Sequence, residues 1–327
     1  MTPSRIILSR TDGIGDVMLT LPMCGVLKQH FPNCEIIFLG RSYTRSIAAC
    51  CKHIDHFENW DEWKDSSPAS QIEALSKWKA DAIVHVFPRT EILWLAKRAR
   101  IPMRIATGRR WHTISKCNKL VFFTRKKSLL HESQLNLKLL KPLGIDVQPS
   151  LNEIPNYYGF DRLPDLSLQI ASLIEPGKKN IILHPKSKGS AAEWGLKNFE
   201  ALIALLAADA CHVFITGSED EGKQIKQELR LSNQQVTDLT GKLTLDELIA
   251  FIAACDALVA ASTGPLHIAA ALGKQAVGLY TPKRPMHPGR WSPVGRRAKV
   301  FTSEAHPSNG QFLSISPKMV ADFLLSH

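Results

Sequence analysis

The chain has 327 residues, length for two domains of about 150 residues each. Its 44% hydrophobic and 22% charged content is that of a soluble globular protein. No apolar run approaches the roughly 18 residues of a membrane span, and the N-terminal segment lacks the apolar core of a secretory signal, so no membrane-spanning helix and a cytoplasmic location are expected. A net charge of +11 favours an anionic partner.

Arg5–Ser9 reads as a short buried strand. The loop after it, Ser9-Arg10-Thr11-Asp12-Gly13-Ile14-Gly15-Asp16, opens a helix. Gly13 and Gly15 permit a tight turn close to a ligand. A dinucleotide fingerprint fits poorly, although Glu35 stands where a ribose-binding acid would. Met18 occupies the third glycine position, and Asp16 would bring negative charge towards a pyrophosphate. An exposed carboxylate at the carboxyl end of a strand suits a general base; its plainer role is an acid complementing a helix start.

Further strands are expected at Glu35–Leu39, Ala82–Val86 and Arg104–Ala106, with helical pattern at Leu19–His30 and Gln71–Trp78. Between Arg89 and Lys127 lie twelve Lys or Arg residues and one acid, Glu91. This stretch is expected to face an anionic acceptor at a membrane surface, with Arg109 and Arg110 joining Thr11, Gly13 and Gly15 on the acceptor side. Its aromatic residues are too few for a nucleic-acid role. The proline-bearing segment Val147–Lys179 marks the entry to a second domain. The boundary is expected within ten residues of 155, giving domains 1–155 and 156–327.

The second series of strands is expected at Asn180–His184, His212–Thr216, Ala257–Ala261 and Ala276–Leu279. Its helices are expected near Leu196–Ala208, Asp220–Leu229, Leu245–Ala254 and Leu266–Leu272, and Pro317–Leu325 closes the chain. Thr244 with Glu247 makes a capping box. This alternation predicts an α/β protein with two doubly wound, Rossmann-like parallel sheets, and ligands at their carboxyl ends. The seven cysteines are scattered, with no Cys-x-x-Cys pair, and read as buried free thiols.

Three loops of this half can meet a nucleotide sugar. His184-Pro185-Lys186-Ser187-Lys188-Gly189 suits phosphate oxygens. Gly217-Ser218-Glu219-Asp220-Glu221 can accept hydrogen bonds from sugar hydroxyls, or simply place acids at a helix start. In Ser262-Thr263-Gly264-Pro265-Leu266-His267, Ser262 and Thr263 are good N-caps and Pro265 suits the first helical position; the helix start is a ready diphosphate site. His267 can donate to a phosphate or sugar oxygen, or pack on its own helix.

Asp-Gly-Ile-Gly-Asp-Val, His-Pro-Lys-Ser-Lys-Gly…Glu-Trp, Gly-Ser-Glu-Asp-Glu, Leu-Thr-Gly-Lys-Leu-Thr-Leu-Asp-Glu-Leu and Ser-Thr-Gly-Pro-Leu-His-Ile-Ala-Ala-Ala-Leu-Gly occur in that order. Together they resemble the lipopolysaccharide heptosyltransferase family of glycosyltransferases, from residue 5 to about 285. The resemblance implies a GT-B architecture, two domains facing a central cleft, the N-terminal one binding acceptor and the C-terminal one binding donor. It implies inverting, metal-independent transfer of a sugar, typically heptose from ADP-heptose, to a lipopolysaccharide inner core, with no cofactor. The family's base falls on Asp16. Its donor residues fall on Lys186, Ser187, Glu221, Ser262, Thr263, Gly264 and His267. Two departures stand out. Ala192 and Glu193 replace a lysine that many members carry before the mid-chain tryptophan, which leaves Lys186 or Lys188 to substitute. Ser262 stands where ADP-heptose users often have Asp. The competing expectations are a nucleotide-sugar epimerase of GT-B build and a non-catalytic protein that binds sugar nucleotides or a membrane surface. Location at the cytoplasmic face of the inner membrane follows from the expected acceptor.

Overall fold

A computed structural model describes residues 2–108, 111–125, 128–229, 235–308 and 312–326. The chain divides into two compact units, Met1–Arg162 and Leu163–His327. The first contains β1 (Arg5–Ser9), β2 (Glu35–Gly40), β3 (His56–Asn59), β4 (Ala82–His85), β5 (Met103–Thr107) and β6 (Lys119–Val121). They form one sheet in the order β3-β2-β1-β4-β5-β6, every pair parallel. The second contains β7 (Lys179–His184), β8 (Cys211–Ile215), β9 (Val236–Asp238), β10 (Ala257–Ala261), β11 (Gln275–Tyr280) and β12 (Ala298–Thr302). Their order, β12-β11-β10-β7-β8-β9, is again all parallel. The expected pair of doubly wound α/β sheets is present.

Each sheet reverses its winding beside its first strand. The chain lays down β1, β2 and β3 in one direction, then returns to place β4 on the other side of β1. It does the same around β7, with β10 on the far side. Such a switch point leaves a crevice at the carboxyl ends of the two adjoining strands, because their following loops diverge. The crevice residues are therefore those after β1 and β4, and those after β7 and β10.

Burial explains why these segments form strands. The central strands are apolar through their middles: Ile6, Ile7, Leu8, Ile36, Ile37 and Phe38 are fully buried in the first sheet, and Leu183, Val213, Phe214 and Val259 in the second. A parallel strand covered on both faces needs such a continuous apolar run. The helix Leu245–Ala254 begins at the expected capping box, where the Thr244 hydroxyl accepts from Glu247 N and the Glu247 carboxylate accepts from Thr244 N. The seven cysteines are buried and unbridged, as expected.

Two expectations need adjusting. The helical pattern Leu19–His30 is helical only from Leu21, as the helix Leu21–His30, and a separate short helix, Ile14–Met18, precedes it. Pro22 lacks the N–H that would continue one helix into the other. The carbonyls freed at the break are taken up by the Thr20 hydroxyl, which donates to Asp16 O, and by Asn136, which donates to Leu19 O. The last helix of the β10 loop begins at Gly264, so Pro265 is its second residue rather than its first. The two units meet at Arg162–Leu163, and residues 156–162 pack with the first. Gly25 lets the helix Leu21–His30 press against them: a Cβ there would lie 2.2 Å from Tyr157 O. Lys52 N donates to Gly159 O at 2.7 Å and Asp161 N to Cys50 O at 3.1 Å.

Candidate functional site

In the first unit, the loop after β1 enters the five-residue helix Ile14–Met18, which carries Asp16. Gly13 stands before it, and a Cβ at Gly13 would come within 3.2 Å of Asp16 Oδ2. The expected exposed carboxylate is instead partly covered, at 27% side-chain exposure, and bonded to Arg10. Sequence spacing alone missed Arg10. Its guanidinium is 3% exposed and also meets Asp12 at 2.6 Å and Glu132 at 3.6 Å. Arg125 donates to Glu132 at 2.9 Å and to Asn136 at 3.0 Å. A buried cation, Arg10, and a partly buried one, Arg125, thus face three carboxylates.

This cluster sets the chemistry of Asp16. Burial disfavours the ionised carboxylate, Arg10 opposes that effect, and Asp12 and Glu132 add to it; the result is a carboxyl raised to about 6. A carboxylate titrating near there is ionised at neutral pH yet basic enough to take a proton. Thr11 is buried, and its hydroxyl accepts from Arg89 Nε at 2.7 Å. It therefore acts as a seat for Arg89. Tyr43 ties the loop from outside, its hydroxyl donating to Asp12 O at 2.6 Å.

The basic stretch does not form one face. Arg89 and Arg125 lie at the carboxyl edge of the first sheet, with Asp16. The helix Thr90–Arg98 then runs back along the sheet and delivers Lys97, Arg98 and Arg100 to the amino edge, where Met103 N bonds Asp81 O. Lys116 is there too, its carbonyl held by Arg104 Nε at 2.9 Å. The two edges stand roughly 15 Å apart for a strand of this length. Arg109 and Arg110 lie outside the described residues.

In the second unit, the loops after β7 and β10 flank the switch point. The loop after β7 holds Lys186, Ser187 and Lys188 in different states. Lys186 donates to Glu193 at 3.1 Å, and Ser187 is buried, its hydroxyl donating to Ala191 O at 3.0 Å. Lys188 is exposed, in a left-handed backbone conformation with φ of 49°, and forms no ion pair among the described residues. Glu221, expected as a sugar ligand, caps its own helix: one carboxylate oxygen accepts from Ser218 N at 2.7 Å and Ser218 Oγ at 2.9 Å. That is the helix-start role, and it leaves the other oxygen for a hydroxyl.

The loop after β10 is short and buried. Thr263 takes the N-cap position of the helix Gly264–Ala271, but its side chain makes no capping bond. Its hydroxyl oxygen is buried without a partner among the described residues. The expected N-cap hydroxyl thus faces the orphan N–H groups of the first turn without satisfying any. An anion at this point would meet both the hydroxyl and the turn. Ser262, beside Thr263 in the chain, is partly buried. His267 is buried in the helix's first turn.

The chain is similar in sequence and fold to known glycosyltransferases. The family model for glycosyltransferase family 9 (heptosyltransferase) matches residues 94–313. A proposed glycosyltransferase of Haemophilus influenzae is 28% identical over 298 residues, 89% of this chain and 86% of that protein. The solved Escherichia coli ADP-heptose lipopolysaccharide heptosyltransferase II superposes with a TM-score of 0.76 at 19% identity, over 98% of each chain. The Escherichia coli heptosyltransferase WaaC, solved with ADP, gives a TM-score of 0.75 at 18% identity, over 98% of this chain and 99% of its own. The fold is the GT-B fold of those enzymes. With two thirds of its length under the family model, the chain is a glycosyltransferase and belongs to glycosyltransferase family 9, the heptosyltransferase family.

Proposed function

We propose that the protein is an inverting, metal-independent glycosyltransferase that moves heptose from ADP-heptose to a lipopolysaccharide inner-core sugar, with Asp16 as general base. The observation that carries this reading is the Asp16 carboxyl, raised to about 6 at the carboxyl edge of the first sheet and aimed by a buried guanidinium. Asp16 takes the proton of an acceptor hydroxyl. The hydroxyl oxygen bonds to the anomeric carbon as the bond from that carbon to the diphosphate oxygen breaks. The electron pair of that bond leaves with the nucleotide diphosphate.

The first unit supplies the base and binds the acceptor; the second holds the donor. The diphosphate charge is met by Lys186, Lys188, the Thr263 hydroxyl and the N–H groups at the start of the helix Gly264–Ala271. Glu221 accepts from sugar hydroxyls, Ser262 accepts from or donates to them, and His267 supports the same turn. The solved relative with bound ADP, and the other named for ADP-heptose, support this choice of donor. No helix among the described residues is long and apolar enough to cross a membrane, so a membrane-bound acceptor is reached from the surface. The test is transfer from ADP-heptose to a truncated lipopolysaccharide core in the presence of chelator. Product with the inverted anomeric configuration is expected. Activity lost to chelator and restored by magnesium would defeat the metal-free mechanism.

A further inference from the structure

Glu193 sits on a firmly fixed piece of backbone. The next residue, Trp194, is fully buried, its indole N–H donating to Ile315 O at 2.8 Å and its ring edge-on to Phe199 at 4.9 Å. The Glu193 carbonyl accepts from Leu313 N at 2.9 Å. From this anchor the Glu193 carboxylate reaches the loop after β7. It accepts from Lys186 Nζ at 3.1 Å and from Ser187 N at 3.2 Å, and it lies 3.4 Å from Ser187 Oγ, whose hydrogen it shares with Ala191 O. An ammonium, a backbone N–H and a hydroxyl converging on one anion are the donor set of a phosphate site. Here the anion belongs to the chain itself.

We propose that Glu193 is an internal occupant of the diphosphate site, holding Lys186 and Ser187 in place until the donor's phosphate displaces it. The inference rests on the donor assignment above. It makes Glu193 a determinant of donor affinity. The carboxylate carries one charge and is tethered; a nucleotide diphosphate brings more charge and more acceptor oxygens to the same donors. Binding therefore proceeds by exchange, and part of the intrinsic affinity is spent on releasing Glu193. A neutral side chain of the same shape can still accept a hydrogen bond from Lys186 but competes poorly with phosphate for it.

The experiment is a calorimetric titration of ADP, in magnesium-free buffer, into wild type, Glu193→Gln, Lys186→Ala and the double variant. Thermal unfolding of each protein checks that it is folded, and Glu193→Ala serves as a second variant without any acceptor. Glu193→Gln is expected to bind ADP at least about fivefold more tightly than wild type, and Glu193→Ala to move in the same direction. That gain should vanish when Lys186 is already Ala. Equal or weaker ADP binding by Glu193→Gln overturns the proposal, and so does a gain that survives loss of Lys186, which would mark a general charge effect. If wild type binds ADP normally and Glu193→Gln changes nothing, the occupant idea fails while the donor reading stands. If neither form binds ADP, UDP or GDP, the donor reading fails and takes this inference with it.

Discussion

Arg10 donates to Asp16 from a guanidinium that is only 3% exposed and that also meets Asp12 and Glu132. The pair puts a carboxylate where proton transfer is useful and charge is costly. Asp16→Asn keeps the shape and an acceptor for Arg10 but removes the basicity. Turnover should fall by about two to four orders of magnitude, with donor affinity little changed. In wild type, kcat/KM should rise with pH through a limb near the Asp16 value of about 6, and the variant's residual activity should lack that limb. Stability should move the other way. The folded-state value lies above the ordinary 3.8, so ionising Asp16 costs stability, a cost absent at low pH and complete above about 6. Asp16→Asn should thus be at least as stable as wild type at pH 7.5, with the difference closing near pH 4. Near-normal turnover would remove Asp16 from the mechanism.

Thr263 offers a second separation of function from stability. Its hydroxyl is buried without a partner among the described residues, beside the first turn of the helix Gly264–Ala271. Thr263→Val keeps the volume and deletes that hydroxyl. Unfolding temperature should hold or rise, since an unsatisfied buried group is removed. Affinity for a nucleotide diphosphate should drop by about 0.5–1.5 kcal/mol, the net value of one hydrogen bond. Lost stability with unchanged affinity would make the hydroxyl structural.

The two edges of the first sheet predict a similar split among the cations. Trp94, Lys97, Arg98, Arg100, Ser115 and Lys116 line a cavity of about 510 Å³ at the amino edge, with Arg98 stacked over Trp94. Reversing Arg98 and Arg100 to Glu should weaken binding to phosphatidylglycerol vesicles by at least about tenfold at low salt, because each cation near an anionic surface is worth about 1 kcal/mol. Turnover on a soluble acceptor should be unchanged, because Asp16 is at the other edge. Equal binding of wild type to neutral and anionic vesicles would sink the membrane-surface reading.

The eight strands legible in the sequence are the central ones, β1, β2, β4, β5, β7, β8, β10 and β11. The four that were missed, β3, β6, β9 and β12, are the four sheet edges. An edge strand is covered less and needs no apolar run, and His56–Asn59 or Val236–Asp238 carry no pattern to separate them from loop. The site divides in the same way. Asp16 and Thr263 follow legible strands, so their loops could be placed. Arg10 lay in plain view two and six residues before its carboxylates. Glu132 is 116 residues beyond Asp16, and only the returning chain brings it to Arg10. The Lys186–Glu193 pair was hidden for another reason: the lysine looked free for phosphate until the fold showed its partner.

His85, at the carboxyl end of β4 beside Ser9, is fully buried, and neither ring nitrogen has a partner among the described residues. Burial, aided by Arg104, lowers its pKa to about 3. The unfolded chain therefore takes up this proton first. Stability should fall as pH drops from the ordinary 6.5 towards 3, by at most about 1.4 kcal/mol per pH unit. His85→Leu should flatten that part of the acid limb in denaturant titrations between pH 7 and pH 4. An unchanged limb would show that His85 is not buried in its neutral form.

Ser262 bears on the choice of donor. It ends the run from β10 into the helix Gly264–Ala271. A serine offers a sugar one donor and a weak acceptor. A carboxylate there could accept from two sugar hydroxyls, and it would sit well before a helix N-terminus. Ser262→Asp should then raise use of ADP-heptose relative to hexose donors, by a factor of about 2–12 for one added hydrogen bond of 0.5–1.5 kcal/mol. The opposing effect is repulsion between the new charge and the diphosphate at the same turn. It would show as weaker binding of ADP itself, whereas a gain at the sugar leaves ADP binding unchanged and improves only the sugar nucleotide. Competition between ADP-heptose and UDP- or GDP-hexoses, run on both forms, separates the two. If wild type transfers a hexose and ignores ADP-heptose, the donor assignment is wrong, while the roles of Arg10 and Asp16 are untouched.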